Sequence, residues 1–403
     1  MSELVLVLNA GSSSLKYSLV DAVTGDAAAS GLVEQIGEPS GELTHSGPGG
    51  EHRTERAFGT HEDALRAVLE AFESQGPHLG SAGLEAVGHR VVHGGPLFSA
   101  PALVDDGLVA AVTDLVPLAP LHNPANLEGI ATARTLFPGL PQVAVFDTAF
   151  HSTLPPHAFT YAVPLSLRDE HHIRRYGFHG TSYSFVSEQA ARFLGASVED
   201  VNLIVLHLGN GASATAVRGG RSVDTSMGMT PLEGLVMGTR SGDVDPALHA
   251  HLHRELGWSL PEIDRLLNRE SGLKGLAGLV DFRELAQRRE TGDEAARLAF
   301  DVYCHRIRRY VGAFYAVLGT VDAVVFTAGV GENAAAVRAE SLAGLQRLGI
   351  AVDPVRNEQR LDEPFAVSPE DGPEDAVAVL VVPTDEEWEI ARQTMAVVSG
   401  ARG

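Results

Sequence analysis

The chain of 403 residues has a single cysteine, Cys304, so it cannot form an internal disulfide, and a reducing compartment is the expectation. Cys304 lies in the helical pattern DEAARLAFDVYCHRIRRYVGAFYAVLG, where nothing marks an activated thiolate. It reads as a buried bystander rather than a nucleophile. Lysine is nearly absent too: Lys16 and Lys274 are the only two among 30 basic residues, a bias that reads as genomic rather than functional. A formal net charge of -22 speaks against a nucleic-acid partner, since duplex binding needs clustered Lys and Arg. Anionic small substrates stay open, provided that local cations overcome the global field. No apolar run approaches the ~20 residues of a membrane span, and no basic segment precedes the apolar start. The expectation is a cytoplasmic chain with no signal peptide and no membrane partner. The opening loop is neither G-x-x-x-x-G-K-[ST] nor G-x-G-x-x-G, so the two commonest nucleotide fingerprints are missing.

What is present is an ordinary globular composition, 44% hydrophobic and 20% charged, long enough for two or three domains. The chain begins with the aliphatic run Leu4-Val5-Leu6-Val7-Leu8, which leads into Asn9-Ala10-Gly11-Ser12-Ser13-Ser14 and then Leu15-Lys16-Tyr17. That pattern predicts strand, tight polar loop, strand. Glycine lets a backbone approach an anion, and the hydroxyls and loop amides can donate to phosphate oxygens. Many hairpins carry such a loop for turn chemistry alone. A shift of 200 positions places Leu4-Val5-Leu6 on Ile204-Val205-Leu206, Gly11 on Gly211 and Ser13 on Ser213. Either two strand-loop-strand units are alike by chance, or the chain is two related α/β domains that each offer a phosphate loop.

Four further segments read as buried strands running into polar or glycine-rich loops: EAVGHRVVHGG, QVAVFDTAFH, AVVFTAGVGEN and AVAVLVVPTDEE. Between them lie helical patterns: HEDALRAVLEAFESQ, NPANLEGIATARTLF, TSYSFVSEQAARFL, the segment around Cys304, AAAVRAESLAGLQRL and DEEWEIARQTMAVV. The alternation predicts an α/β protein.

VLNAGSSSLKY and RRYGFHGTSYSFVS resemble the two signature segments of the acetate kinase family. The likeness continues in order through GHRVVHGG, APLHNPANLEGI, AVFDTAFH, HLGNGAS, DTSMGMTPLEGLVMGTRSGDVDP, FTAGVGEN and PTDEE. The resemblance implies duplicated ribonuclease-H-like domains of the actin and sugar kinase type flanking a nucleotide cleft. Their implied bounds are 1–149, joined by a C-terminal helix 387–403, and 150–386. It implies reversible transfer of the ATP γ-phosphoryl group to acetate, giving acetyl phosphate and ADP, with propionate or another short fatty acid as the alternative acceptor. A homodimer is implied as well.

The site follows residue by residue from the same resemblance. Arg90, whose planar fork suits a carboxylate, and Arg240, on the transferring phosphoryl group, match the family's two arginines; ordinary surface ion pairing is the alternative use. His179 matches the histidine that contacts the phosphoryl group. Asp147 ends an apolar strand, where a lone carboxylate is costly, so it needs partners such as Arg90, Arg240 or a metal-bound water. The family gives Asp147 an acid/base or activating role; acetate is already ionised at neutral pH, which favours an organising role. The acyl group is expected against Val92, Leu121, Phe178 and Pro231. ATP contacts are expected from Ser12, Ser14 and Lys16, from His207, Leu208, Gly209, Asn210 and Gly211, from Asp281, Phe282 and Arg283, and from Gly329, Val330, Gly331, Glu332 and Asn333. Mg2+, with Mn2+ as the substitute, is expected on Asn9 and Glu386. Asp385 stands where the family more often has asparagine, and either joins the metal or caps the following helix. GLAGLV before Asp281 departs from the Ser-rich version usual in the family, which bears on fine nucleotide preference.

Overall fold

A computed structural model describes residues 3–373 and 376–402. The chain divides into two compact units, one holding the residues up to Ser152 together with those from Asp385 onward, the other Thr153–Thr384.

The first unit is built on an eight-stranded sheet with β1 (Leu4–Ala10), β2 (Ser14–Asp21), β3 (Ala27–Glu34), β4 (Gly41–Gly47), β5 (Gly50–Arg56), β6 (Leu84–Val91), β7 (Ala102–Leu103) and β8 (Gln142–Phe146). The spatial order is β5-β4-β3-β2-β1-β6-β8-β7. Strands β1 to β5 pair antiparallel in succession, β6 and β8 run parallel to β1, and β7 closes the edge antiparallel. The continuous apolar run of β1 reflects burial on both faces. Leu6, Leu8 and Ala10 join the core under the helix His61–Gln75, while Val5 and Val7 pack with Ile390, Ala391 and Met395 of the final helix Glu386–Arg402. Thr60 and Asp63 form a reciprocal capping box that starts the helix His61–Gln75.

The second unit carries β9 (Asn202–Leu208), β10 (Ala212–Arg218), β11 (Arg221–Thr225), β12 (Ala323–Thr327), β13 (Phe365–Ala366) and β14 (Ala378–Val381) in the order β11-β10-β9-β12-β14-β13. The helices Gly180–Phe193 and Glu294–Leu318 pack on this sheet. Set aside the β4-β5 hairpin and the first sheet reads β3-β2-β1-β6-β8-β7, the same succession of antiparallel and parallel neighbours. The duplication is thus written in the topology.

Its register differs from the expected shift of 200. The opening hairpin closes on the pair Ala10 and Leu15, its counterpart on Leu208 and Ala212, so Ala10 corresponds to Leu208 and Gly11 to Gly209. A slip of two residues leaves every strand side chain on the same face, so the apolar pattern could not distinguish the two offsets.

Two other expectations change. AAAVRAESLAGLQRL does not form one helix: Ala335–Leu342 ends before Gly344, whose φ of +84° lies in the left-handed region. The glycine-rich segment after β12 is a helical turn, Ala328–Asn333, rather than a loop.

Candidate active site

In the first unit, β6 and β8 are parallel neighbours with Arg90 opposite Val145 and Val91 opposite Phe146. The amide of Asp147 continues this pairing by donating to Val91 O at 3.0 Å. That register puts Arg90 and Asp147 at one end of the sheet, and their side chains meet side-on: Nε donates to Oδ1 and Nη2 to Oδ2, both at 2.9 Å. Arg90 Nη1 lies 3.3 Å from Glu386 Oε2 at the start of the final helix. Burial alone would lower the guanidinium pKa, but Asp147 and Glu386 together raise it above the ordinary arginine value. Burial pushes the Asp147 carboxyl up, Arg90 pulls it back, and Glu386 adds repulsion. Two acceptor oxygens engaged at 2.9 Å are the geometry of an ionised carboxylate.

The remaining residues of this half lie around the same sheet end. Asn9 pairs with Lys16 across the opening hairpin, and the Lys16 ammonium forms an ion pair with Glu387. Ser12 is exposed and Ser14 half-buried. Asp385 Oδ1 accepts from Trp388 N at 2.8 Å, so this residue caps the final helix. Asn126 was not singled out by sequence, yet it ties two segments together: its Nδ2 donates to Ala10 O at 2.8 Å and its Oδ1 accepts from Val92 N at 3.0 Å. The NPAN run was the available signal. Val92 is half-buried and Leu121 exposed.

Among the described residues no group of three His, Cys, Asp or Glu side chains forms a metal cage. The donor set at this end, with Asp147 and Glu386 both turned on Arg90, is all oxygen and rich in negative charge. It fits a hard cation that keeps several of its waters.

In the second unit, His179 precedes the helix Gly180–Phe193 with φ +60°, an uncommon conformation outside glycine. Its Nδ1 is 2.8 Å from Ser213 Oγ, which Tyr183 OH also reaches. His179 stacks on His207 with ring centroids 4.1 Å apart, and His207 Nδ1 is 2.8 Å from Ser182 Oγ. A Cβ built on Gly211 would lie 3.6 Å from His179 Nε2 and 3.6 Å from Arg240 Nη1. The histidine and the arginine therefore converge above the Gly211 backbone. Arg240 Nη1 donates to Pro231 O at 3.1 Å, and the side chain has no acidic partner among the described residues. Burial lowers its pKa. A half-buried guanidinium without a carboxylate is suited to an anionic ligand.

A cleft of about 920 Å³ in this unit is lined by Gly209 and Asn210 of the second loop, by Asp281, Phe282 and Arg283, and by Gly329, Val330 and Asn333. Three of the expected nucleotide segments thus share one cavity. His207, Leu208, Gly211, Gly331 and Glu332 do not line it. Glu332 serves the backbone instead, its Oε1 accepting from Ala328 N at 2.8 Å and Thr384 N at 3.1 Å. Phe300 and Tyr303, which the sequence did not single out, also border the cleft, with the Tyr303 and Phe282 ring centroids 5.1 Å apart. Their i, i+3 spacing was indistinguishable from ordinary core patterning.

The sequence profile of the acetokinase family matches residues 4–392. The chain belongs to the acetokinase family. An acetate kinase of Streptomyces avermitilis is 59% identical over 399 residues, covering 98% of this chain and 98% of that protein. The crystal structure of an acetate kinase from Porphyromonas gingivalis covers 98% of this chain and 100% of its own, with a TM-score of 0.92 at 43% identity. That of a propionate kinase from Francisella tularensis gives 0.91 at 41% identity, over 98% of this chain and 100% of that one. As an acetokinase family member the chain is a phosphotransferase that acts on a carboxyl group.

Proposed function

We propose that the protein is an acetate kinase that transfers the γ-phosphoryl group of ATP reversibly to acetate, forming acetyl phosphate and ADP. The observation that carries the reading is the contrast between its two arginines. Arg90 is held by Asp147 through Nε and Nη2 and lies 3.3 Å from Glu386 through Nη1, whereas Arg240 has no carboxylate partner among the described residues and converges with His179 over a glycine. The first arrangement suits a small carboxylate and the second a phosphoryl group in transfer.

An acetate oxygen attacks the γ-phosphorus in line, the bond from phosphorus to the bridging oxygen breaks, and its electron pair leaves with ADP. No proton has to move, because the acceptor is ionised at neutral pH. Asp147 therefore orients Arg90 rather than acting as a base. Arg240 and His179 neutralise and place the equatorial oxygens. Gly209, Asn210, Asp281, Phe282, Arg283, Gly329, Val330 and Asn333 hold the nucleotide in the 920 Å³ cleft, and Lys16, Ser12 and Ser14 serve its phosphate end. Asn9 and Glu386 would hold Mg2+, with Mn2+ as a substitute; the ion, when bound, neutralises charge on the nucleotide phosphates. Val92, Leu121, Phe178 and Pro231 meet the acyl group. An apolar pocket separates acids differing by one methylene by only ~1–3 kcal/mol, so propionate is a slower second substrate. The enzyme is cytoplasmic and works as a homodimer.

Trapping acyl phosphate with hydroxylamine in the presence of ATP and Mg2+ tests this directly. Hydroxamate should form with acetate faster than with propionate; none with any short carboxylate would remove the kinase reading. A faster reaction with propionate would favour the alternative acceptor.

A further inference from the structure

The segment between β11 and Arg240 is held by a polar cluster that the catalytic reading leaves unused. Arg175 Nη1 donates to three successive carbonyls, Thr225 O at 2.9 Å, Ser226 O at 3.1 Å and Met227 O at 2.9 Å. Its Nη2 donates to Glu233 Oε1 at 2.5 Å, and Tyr161 OH donates to Glu233 Oε2 at 2.7 Å. The Tyr161 hydroxyl accepts in turn from Met229 N at 2.9 Å. The same loop reaches back to the chain before His179, because Gly228 O accepts from Tyr176 N at 3.0 Å. Glycine at 228 leaves room for the cluster: a Cβ there would overlap the Glu233 carboxylate and the Tyr161 hydroxyl and force them to shift.

This cluster fixes both ends of a short path to the site. One end is the turn that carries Phe178 and His179; the other is Pro231, whose carbonyl holds Arg240 Nη1 at 3.1 Å. We propose that Tyr161, Glu233 and Arg175 form a positioning latch that sets the place of Phe178, Pro231 and Arg240, and so sets discrimination among short carboxylates. The inference rests on the carboxylate kinase reading above. None of the three residues touches the reacting atoms. They act by fixing loop geometry, and a misplacement of about 1 Å can cost on the order of a hundredfold in rate.

The chemistry of the latch selects the variants. In Glu233→Gln the amide NH2 faces either Arg175, where that bond breaks, or Tyr161 OH, where the bond must reverse so that the hydroxyl accepts from residue 233 instead of donating to it; the charge of the pair is lost either way. Tyr161→Phe removes only the hydroxyl and leaves Met229 N without its acceptor.

Steady-state hydroxamate formation with acetate, propionate and butyrate, for the full-length wild type and both variants, provides the test. Both variants should lose about tenfold or more in kcat/KM for acetate while KM for ATP stays near its wild-type value. Their preference for acetate over propionate, which one methylene sets at roughly 10- to 200-fold, should shift by about threefold or more. A purely structural role would lower Tm and leave that preference unchanged in both variants, and this result overturns the latch. If Glu233→Gln does not fold, Tyr161→Phe alone decides by the same criterion. Absence of hydroxamate from the wild type with all three acids would overturn the kinase reading and the latch with it.

Discussion

Asparagine at position 147 keeps the shape of the side chain and removes its charge. Both oxygens of Asp147 accept from Arg90, through Nε and Nη2 at 2.9 Å each. An amide has one oxygen, so its NH2 faces a guanidinium N–H whichever way it is turned. At least one charge-assisted bond is lost, which is worth about 1.5–3 kcal/mol. Removing a partner from a fully buried pair costs about 3–5 kcal/mol. Here Glu386 remains 3.3 Å from Nη1 and the Arg90 side chain keeps 19% exposure, so the lower range applies. A loss of ~2 kcal/mol in transition-state binding corresponds to about a 30-fold fall in kcat/KM for acetate. The cleft proposed for the nucleotide belongs to the other unit, and KM for ATP should hardly change. Hydroxamate formation at varied acetate and saturating ATP and Mg2+ reads the first quantity; varied ATP reads the second. Wild-type kcat/KM for acetate in Asp147→Asn would refute the claim that the side-on pair aims Arg90. A defect seen only in KM for ATP would place the pair at the wrong end of the reaction.

Three further outcomes follow from single residues. Arg240→Ala should lower kcat by about a thousandfold, as loss of an arginine on a transferring phosphoryl group does, while Tm holds or rises because a half-buried guanidinium with no acidic partner among the described residues is removed; a lower Tm with kcat intact would contradict the assignment. His89 is buried, its Nε2 2.8 Å from Gln142 Oε1, and burial lowers its pKa to about 4 although the hydrogen bond raises it. In the unfolded chain a histidine titrates near 6.5, so on acidification the unfolded state takes up the proton first. The contribution is full above about pH 6.5 and is lost between there and pH 4, roughly 3 kcal/mol in all. Urea unfolding across that window should show a shallower slope for His89→Gln; equal slopes would refute it. Cys304 is buried and its thiol is pushed up to about 12, so a thiol reagent at neutral pH should label it only after denaturation; rapid labelling of native protein would contradict this.

The sequence carried the strands and their polar ends, because β1, β8, β9 and β12 are mostly apolar and each runs into small or polar residues, which after β12 form a helical turn. It placed Arg90 and Asp147 at two such ends. What it could not carry is that β6 and β8 are neighbours, since strand adjacency is set by packing between distant segments. β5 escaped notice because it buries no side chain and its residues, GEHRTER, have no apolar alternation to read. The latch escaped for a related reason: Tyr161, Arg175 and Glu233 stand far apart in the chain and each, taken singly, is an ordinary polar residue.

The two loops show most clearly where pattern ends and geometry begins. An apolar strand repeats every two residues, so offsets of 198 and 200 fit its faces equally well, and matching glycines favoured the second. Hydrogen bonds decide for the first. Gly11 N donates to Ser14 O at 2.8 Å and Gly209 N donates to Gly211 O at 3.1 Å, each as the first residue of its loop. Gly209 is therefore the counterpart of Gly11, and it is Gly209 rather than Gly211 that lines the 920 Å³ cleft. At Gly211 a Cβ would meet His179 Nε2 and Arg240 Nη1 at 3.6 Å, an ordinary contact distance, so these two side chains do not by themselves demand glycine there. Of the two glycines in this short motif, Gly209 thus has its counterpart in the opening hairpin, while Gly211 stands beside His179 and Arg240, which have none there.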